Sequence, residues 1–135
     1  MIELEKYLKV PYLTGGRTME GLDCWGLVLL IRAEMGLMSM PDFGAVTRET
    51  VHRMQKAFTD GAYLLDRGEP VAGAIAAVFK GSVFVHVGLV VEIEGRLAVI
   101  ETNPSGGVRW SFLTRFLSKY YKVVFYRDRS LPEQA

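Results

Sequence analysis

One cysteine in this sequence is a candidate for nucleophilic chemistry. Cys24 is the only cysteine of the chain, and it follows Asp23 at the predicted start of an apolar helix. A thiol works as a nucleophile when a base within hydrogen-bond reach takes its proton and a third group orients that base. Backbone N–H groups at a helix N-terminus also favour the thiolate, which lowers the pKa of a thiol below its usual value of about 8.5. Cys24 is therefore either a small core residue or a working nucleophile.

The chain has two histidines, and only one of them suits the role of base. His52 lies off the apolar stripe of a predicted helix, which indicates a solvated surface residue. His86 lies in the middle of a predicted strand, whose alternation places Val83, Val85, Val87 and Leu89 on one face and Phe84, His86, Gly88 and Val90 on the other. We expect Gly88 to leave room beside His86 for a helix or a substrate. The Cys24 thiol is the polar partner that we expect for His86.

The next predicted strand supplies candidates for the orienting group. Glu101 and Asn103 alternate with residues of the opposite face, so both point the same way. A carboxylate stabilises an imidazolium more strongly, whereas an amide is the milder partner. The residues leave the choice between the two open, and they leave open whether His86 is a base or a satisfied core histidine.

The elements that must position these side chains follow from periodicity and turn residues. Asp23 is the expected N-cap of the Cys24 helix and Gly36 its expected stop, and Thr47 is the expected cap of a second helix. Helices are predicted over Ile2–Leu8, Cys24–Glu34 or Met35, Arg48–Phe58 and Ser111–Ser118, and strands over Ala74–Lys80, Val83–Glu92, Leu97–Asn103 and Lys122–Arg127. This order predicts an α+β fold with an antiparallel sheet. We expect one domain over residues 1–128 and a flexible tail over 129–135.

Composition excludes several classes of function. The formal net charge is +1 across 135 residues, and no basic stripe favours nucleic acid. The longest apolar run is too short for a bilayer, and the N-terminus lacks the pattern of a signal peptide, so we expect a soluble chain that is not exported by the general secretory route. One cysteine and two histidines in separate elements do not make a metal site, and no cofactor is predicted.

The motifs around Cys24 and His86 resemble those of a known protein family. The first motifs along the chain are Pro11-Tyr12, Gly15-Gly16 and the block Gly21-Leu22-Asp23-Cys24-Trp25-Gly26-Leu27-Val28. The motif His86-Val87-Gly88-Leu89 follows them, in the same order as in that family. These motifs resemble the NlpC family of cell-wall cysteine peptidases, over a stretch from about Tyr7 to Arg127. The tryptophan after the cysteine and the Gly-Gly-Arg-Thr opening are most similar to the branch found in phage and prophage tail-tip assembly proteins.

The resemblance implies a papain-like core with the nucleophile helix packed on an antiparallel sheet. It implies hydrolysis of amide bonds in peptidoglycan stem peptides, often next to D-glutamate and diaminopimelate. Carried over by position, Cys24 is the nucleophile, His86 the general base, Tyr12 an aromatic whose hydroxyl reaches the pocket, and Asp23 a residue that shapes the substrate subsite. Peptidoglycan stem peptides and other tail-tip proteins are the implied partners, with synthesis in the bacterial cytoplasm and assembly into a tail.

This chain departs from the family in two places. The third catalytic position of the family is usually histidine; here Glu101 matches it by offset to the following turn, and Asn103 matches it better by residue type. The strand before His86 often starts Gly-Asp in the family, and this chain has Gly73-Ala74. The rival interpretation is a non-enzymatic tail protein that retains the peptidase fold.

Overall fold

An antiparallel sheet of six strands forms the centre of the fold. The structure is a computed structural model that describes residues 3–46, 48–59 and 65–129. Two short strands, β1 (Arg17–Thr18) and β2 (Gly21–Leu22), pair in a ribbon of their own. The main sheet comprises β3 (Leu65–Arg67), β4 (Ile75–Lys80), β5 (Val83–Ile93), β6 (Arg96–Asn103), β7 (Gly107–Phe112) and β8 (Lys122–Asp128). These strands lie in the order β3-β8-β4-β5-β6-β7.

Helices cover both faces of this sheet. A 3-10 helix spans Glu5–Lys9, and the α-helices are α1 (Cys24–Glu34), α2 (Arg48–Thr59) and α3 (Leu113–Lys119). The apolar side chains of α1 and α2 form one buried cluster with Val87, Leu89 and Ile100 of the sheet. Phe116 of α3 belongs to a second cluster with Val90 and Val99 on the opposite face. This architecture confirms the predicted α+β class and the packing of the Cys24 helix on an antiparallel sheet.

Helix α1 is the central helix of the fold, as the sequence predicts. It begins after Asp23, and Gly36, with a φ of 76°, follows its C-terminal end. Trp25, Leu27, Val28 and Ile31 are all fully buried. A helix that is apolar on nearly every side requires cover all round, and the sheet and the loops before and after α1 supply it.

Some predicted bounds differ from the structure. The first helix is 3-10 in form over Glu5–Lys9, β3 and β7 were not predicted, and α3 begins at Leu113 because the two residues before it close β7. The predicted cap at Thr47, the side chain of Phe58 and residues 130–135 of the tail lie outside the described residues. The tail and the domain boundary stay predictions.

The alternation predicted along β5 is wrong in its first half. The pairing of β4 with β5 shifts register between Val78 and Phe79, opposite the stretch from Phe84 to His86. This bulge turns Phe84 into the same core cluster as Val87, while Val83 and Val85 remain 47% and 46% exposed. The strict alternation applies only from His86 onward.

Candidate active site

Asp23 joins the N-terminus of α1 to two loops. Its side chain accepts hydrogen bonds from the backbone N–H of Gly26 at 2.8 Å, of Gly15 at 3.0 Å and of Val46 at 3.3 Å. The Arg17 guanidinium donates to the same carboxylate at 2.6 Å, and Asp23 is fully buried. All its acceptor capacity is used within the chain, so any contribution of Asp23 to a substrate subsite acts through the loops that it holds.

Two glycines bring a loop into contact with the first turn of α1. A Cβ atom at Gly26 would lie 2.1 Å from the carbonyl oxygen of Gly16, and a Cβ at Gly16 would lie 2.2 Å from the carbonyl oxygen of Gly21. No side chain fits at such distances. The glycines of the Gly-Gly and Cys-Trp-Gly motifs therefore permit the close approach of backbone that fixes where α1, and with it Cys24, begins.

The Cys24 thiol is buried at the tip of α1. Burial, followed by the neighbouring Asp23 carboxylate, raises the pKa of Cys24 to about 12, although backbone N–H groups of Val87, Trp25 and Cys24 act to lower it. This direction is opposite to the one expected from a helix N-terminus, because loss of hydration outweighs the backbone dipoles. The thiol therefore carries its proton in this structure.

Tyr12 lies within electrostatic range of Cys24 and Asp23. It forms an isolated parallel bridge with Leu22, which precedes Asp23. Burial, then the charges of Cys24 and Asp23, raises the pKa of Tyr12. Its hydroxyl therefore keeps its proton at neutral pH and can donate a hydrogen bond.

His86 and Glu101 form the best-defined polar pair of the site. The Nε2 atom of His86 lies 2.8 Å from Oε1 of Glu101, whose side chain has no exposed surface. An ionised carboxylate only accepts hydrogen bonds, so Nε2 carries the proton and donates it to Glu101. The other ring nitrogen, Nδ1, makes no hydrogen bond to any of the described residues and is available as an acceptor.

Two residues at the end of α3 complete the surroundings of Glu101. The Lys119 ammonium donates to Oε2 at 2.8 Å, and the Tyr120 hydroxyl donates to Oε1 at 2.5 Å. Burial opposes ionisation of Glu101, but the hydrogen bonds from His86, Lys119 and Tyr120 outweigh it and lower the pKa of Glu101 to about 2. Glu101 is therefore ionised at neutral pH.

Asn103 does not contact the imidazole. Its side-chain oxygen accepts hydrogen bonds from the Ser105 hydroxyl at 2.9 Å and from the Gly106 N–H at 3.0 Å. These bonds close the turn between β6 and β7. Of the two orienting candidates that the sequence left open, the structure thus brings only Glu101 to His86.

Glu101 also occupies the room that we expected Gly88 to leave for a helix or a substrate. A Cβ atom at Gly88 would lie 2.8 Å from Cγ1 of Val99 and 3.5 Å from Cβ of Glu101. The absent side chain lets β6 bring its carboxylate close to the imidazole.

The Cys24 thiol and the His86 imidazole belong to adjoining segments but are not hydrogen-bonded to each other within the described residues. The Val87 N–H that interacts with Cys24 belongs to the residue directly after His86. Within the described residues the partner of the imidazole is Glu101, not the expected thiol. In enzymes without bound substrate, hydrogen bonds between nucleophile and base are often long and tighten only when substrate binds.

Lys119, Tyr120 and the Val87 N–H are members of the site that the sequence analysis missed. Lys119 and Tyr120 follow Glu101 by 18 and 19 positions, and only tertiary packing brings them together. The sequence did contain one signal for a cationic partner, because a glutamate that is buried within an apolar strand has to be paired with a cation. His52 is exposed on α2, as predicted.

The described residues hold no cluster of histidine, cysteine, aspartate and glutamate arranged to bind a metal ion. In the same part of the chain, no helix is both long enough and apolar enough to cross a membrane.

Comparison with known proteins supports the fold. No protein-family model matches the sequence, and no curated protein matches it. Among solved structures, the chain is similar to the crystal structure of the NlpC/p60 domain of the peptidoglycan hydrolase SagA, with a TM-score of 0.57 and 17% sequence identity. The match covers 90% of this chain and 89% of that one. This likeness shows that the chain has the fold of an NlpC/p60 domain.

Proposed function

We propose that this chain is a cysteine peptidase that hydrolyses amide bonds of peptidoglycan stem peptides. The observation that carries the proposal is the 2.8 Å contact between the half-buried His86 and the buried Glu101, on the strand whose Val87 N–H interacts with the Cys24 thiol. The fold supports it, because a solved structure that shares this fold is the NlpC/p60 domain of a peptidoglycan hydrolase. The Cys-Trp-Gly and His-Val-Gly motifs support it from the sequence.

In the proposed reaction, His86 acts as a general base and not as part of a preformed ion pair. Nδ1 takes the proton of Cys24 as Sγ attacks the carbonyl carbon of the stem peptide, and Glu101 stabilises the imidazolium that results. Backbone N–H groups at the tip of α1 and the Tyr12 hydroxyl face the developing oxyanion. One such donor typically contributes about 3 kcal/mol to transition-state stabilisation.

The second half of the reaction returns the thiol. The imidazolium of His86 gives its proton to the leaving amine, and the acyl group remains on Sγ as a thioester. His86 then takes a proton from water, the hydroxide adds to the thioester carbonyl, and Cys24 leaves and is reprotonated. An amine in place of water would give acyl transfer, so the product mixture with and without an added amine separates transfer from hydrolysis.

Digestion of purified peptidoglycan tests this proposal. The wild-type chain should release fragments with new amino termini within stem peptides, identified by chromatography and mass spectrometry. Cys24→Ala and His86→Ala should abolish this release, whereas His52→Ala, which changes the exposed histidine, should leave it intact. Equal release by the wild type and Cys24→Ala would contradict the proposal.

A second candidate function is a non-enzymatic tail protein that retains the peptidase fold. The observation that favours it is the buried, protonated thiol, since burial raises the pKa of Cys24 to about 12. On this alternative neither the wild type nor any variant cleaves peptidoglycan, and the chain instead binds another structural protein. The digestion described above separates the two candidates.

The place of action is a further part of the proposal. The tryptophan after Cys24 and the Gly-Gly-Arg-Thr opening favour a component of a phage or prophage tail tip, made in the bacterial cytoplasm and assembled with other tail proteins. Immunogold labelling of tails purified from a producing host tests this assignment. Label at the tip supports it, and label found only away from tails contradicts it.

A further inference from the structure

We propose that Lys119 and Tyr120, at the C-terminal end of α3, are positioning residues for the His86–Glu101 pair. This inference rests on the proposed function, because it assigns the two residues a part in the same reaction. Neither side chain is expected to touch the substrate. They act through Glu101, which they hold in the orientation that His86 requires.

The geometry assigns each oxygen of Glu101 its own donors. Oε1 accepts from His86 Nε2 at 2.8 Å and from the Tyr120 hydroxyl at 2.5 Å, and Oε2 accepts from Lys119 Nζ at 2.8 Å. A carboxylate bound at both oxygens from two sides cannot rotate about its terminal torsion without losing a bond. Lys119 and Tyr120 therefore fix the plane of the carboxylate, and the carboxylate fixes the imidazole.

Tyr120 also contacts the imidazole directly. The two ring centroids lie 5.7 Å apart, and the Tyr120 ring packs in turn on Phe116 of α3 at 4.9 Å. Phe116 is fully buried in the cluster beneath α3. The end of α3 thus connects a rigid part of the core to the imidazole, and His86 is restrained by a ring on one side and a carboxylate on another.

Other charged groups around the pair cannot replace Lys119. Arg109 lies opposite Glu101 in the pairing of β6 with β7, but its guanidinium lies over Gly106 and its side chain is exposed. Asp23 and Cys24 of α1 lie on the thiol side, and Asp23 already pairs with Arg17. Among the described residues, Lys119 is the cation that contacts the Glu101 carboxylate.

Nuclear magnetic resonance of the carboxyl carbon of Glu101 tests the inference without any need for turnover. Lys119→Met removes a charge-assisted hydrogen bond, so the pKa of Glu101 should rise from its wild-type value of about 2. Lys119→Arg should largely restore the low value. Lys80→Met is the matched control, because Lys80 is an exposed lysine at the end of β4 that makes no contact with Glu101.

The imidazole N–H gives a second readout. The Nε2 proton of His86 should exchange slowly with solvent in the wild type, because it is held by Glu101, while the exposed His52 ring serves as the fast-exchanging reference. Tyr120→Phe and Lys119→Met should each accelerate exchange at His86. If Lys119→Met fails to fold, the exchange rate of the His86 Nε2 proton in Tyr120→Phe tests the inference by itself. A slow His86 proton in Tyr120→Phe, or an unchanged pKa of Glu101 in Lys119→Met, would overturn the inference.

Kinetics then separate positioning from a merely structural role. Lys119→Met should lower kcat about tenfold or more with KM nearly unchanged, because the Glu101 carboxylate loses a charge-assisted hydrogen bond. Lys119→Arg should recover most of the loss. If the wild type cleaves no stem peptide, the proposed function fails while the two resonance measurements still decide the role of Lys119 and Tyr120. If cleavage occurs and the resonance signals do not move, the inference fails alone.

Discussion

The two halves of the candidate site differ in how their polar groups are satisfied. On the sheet side, three donors bind the Glu101 carboxylate, and they lower its pKa to about 2 although it is fully buried. On the helix side, backbone N–H groups interact with the Cys24 thiol, but burial outweighs them and raises its pKa to about 12. His86 is thus fully oriented, whereas Cys24 retains its proton.

This difference indicates which of the two groups is prepared by folding and which has to be activated when substrate binds. The Glu101 carboxylate loses its water during folding, and its hydrogen-bond partners offset the free energy of that desolvation. His86 is therefore held in place before substrate arrives. The thiol is not activated in advance. In the proposed mechanism the proton leaves Sγ only as Nδ1 of His86 approaches it, which makes substrate binding part of activation.

The largest effect should come from removing the charge that orients the base. Glu101→Gln keeps the shape of the side chain but removes its negative charge, so kcat for stem-peptide hydrolysis should fall by about 10²–10⁴. Asn103→Ala is the matched control, because Asn103 serves only the turn between β6 and β7. Steady-state kinetics on a defined stem peptide check this, and a larger loss in Asn103→Ala would reverse the assignment.

The same carboxylate should make the fold sensitive to acid. The pKa of Glu101 in the folded chain, about 2, is lower than its ordinary value of 4.5. Its contribution to stability is therefore complete above about pH 4.5 and is lost as the pH falls toward 2. A shift of this size corresponds to about 3 kcal/mol in the free energy of unfolding.

Urea unfolding at a series of pH values measures this contribution. The wild type should lose stability steeply in that acidic window, and Glu101→Gln should flatten the loss there. If the free energy of unfolding falls equally for the two proteins between pH 5 and pH 2, ionisation of Glu101 does not contribute to the stability of the fold.

A smaller effect should come from a change at Gly26, in the first turn of the helix that begins at Cys24. A Cβ atom in Gly26→Ala would lie 2.1 Å from the Gly16 carbonyl oxygen, so loop and helix must separate. We expect a loss of about 1–3 kcal/mol in the free energy of unfolding, typical of overpacking. Gly68→Ala is the control, because a Cβ there would meet the Arg127 side chain at an ordinary 3.5 Å. Thermal unfolding distinguishes them, and equal melting temperatures would show that the loop yields without cost.

The sequence predicted those parts of the site that depend on local patterns. Asp23 as N-cap and the start of α1 at Cys24 follow from the rules of helix capping, whereas alternation left open whether Glu101 shares a face with His86. The pairing of Cys24 with His86, expected both from the residues and from the resemblance, stays a prediction, because the imidazole is hydrogen-bonded to Glu101.

The parts that were missed depend on contacts between distant segments. The bulge in β5 arises from its pairing with β4 and leaves no mark in the residues of β5 itself. Lys119 and Tyr120 reach Glu101 only because α3 packs across β6 and β7. The pKa of Cys24 was predicted in the wrong direction, because the depth of burial depends on the whole fold and outweighs the local helix terminus.

The pH dependence of Cys24 alkylation tests the central contrast between the two halves most directly. The chain has one thiol, so iodoacetamide labelling followed by mass spectrometry reports on Cys24 alone. We predict slow labelling at neutral pH and a rate that still rises at pH 10, because the pKa of the thiol is about 12. A rate that reaches its plateau below about pH 8.5, the ordinary pKa of a free thiol, would contradict the account and show that the thiolate is formed in advance.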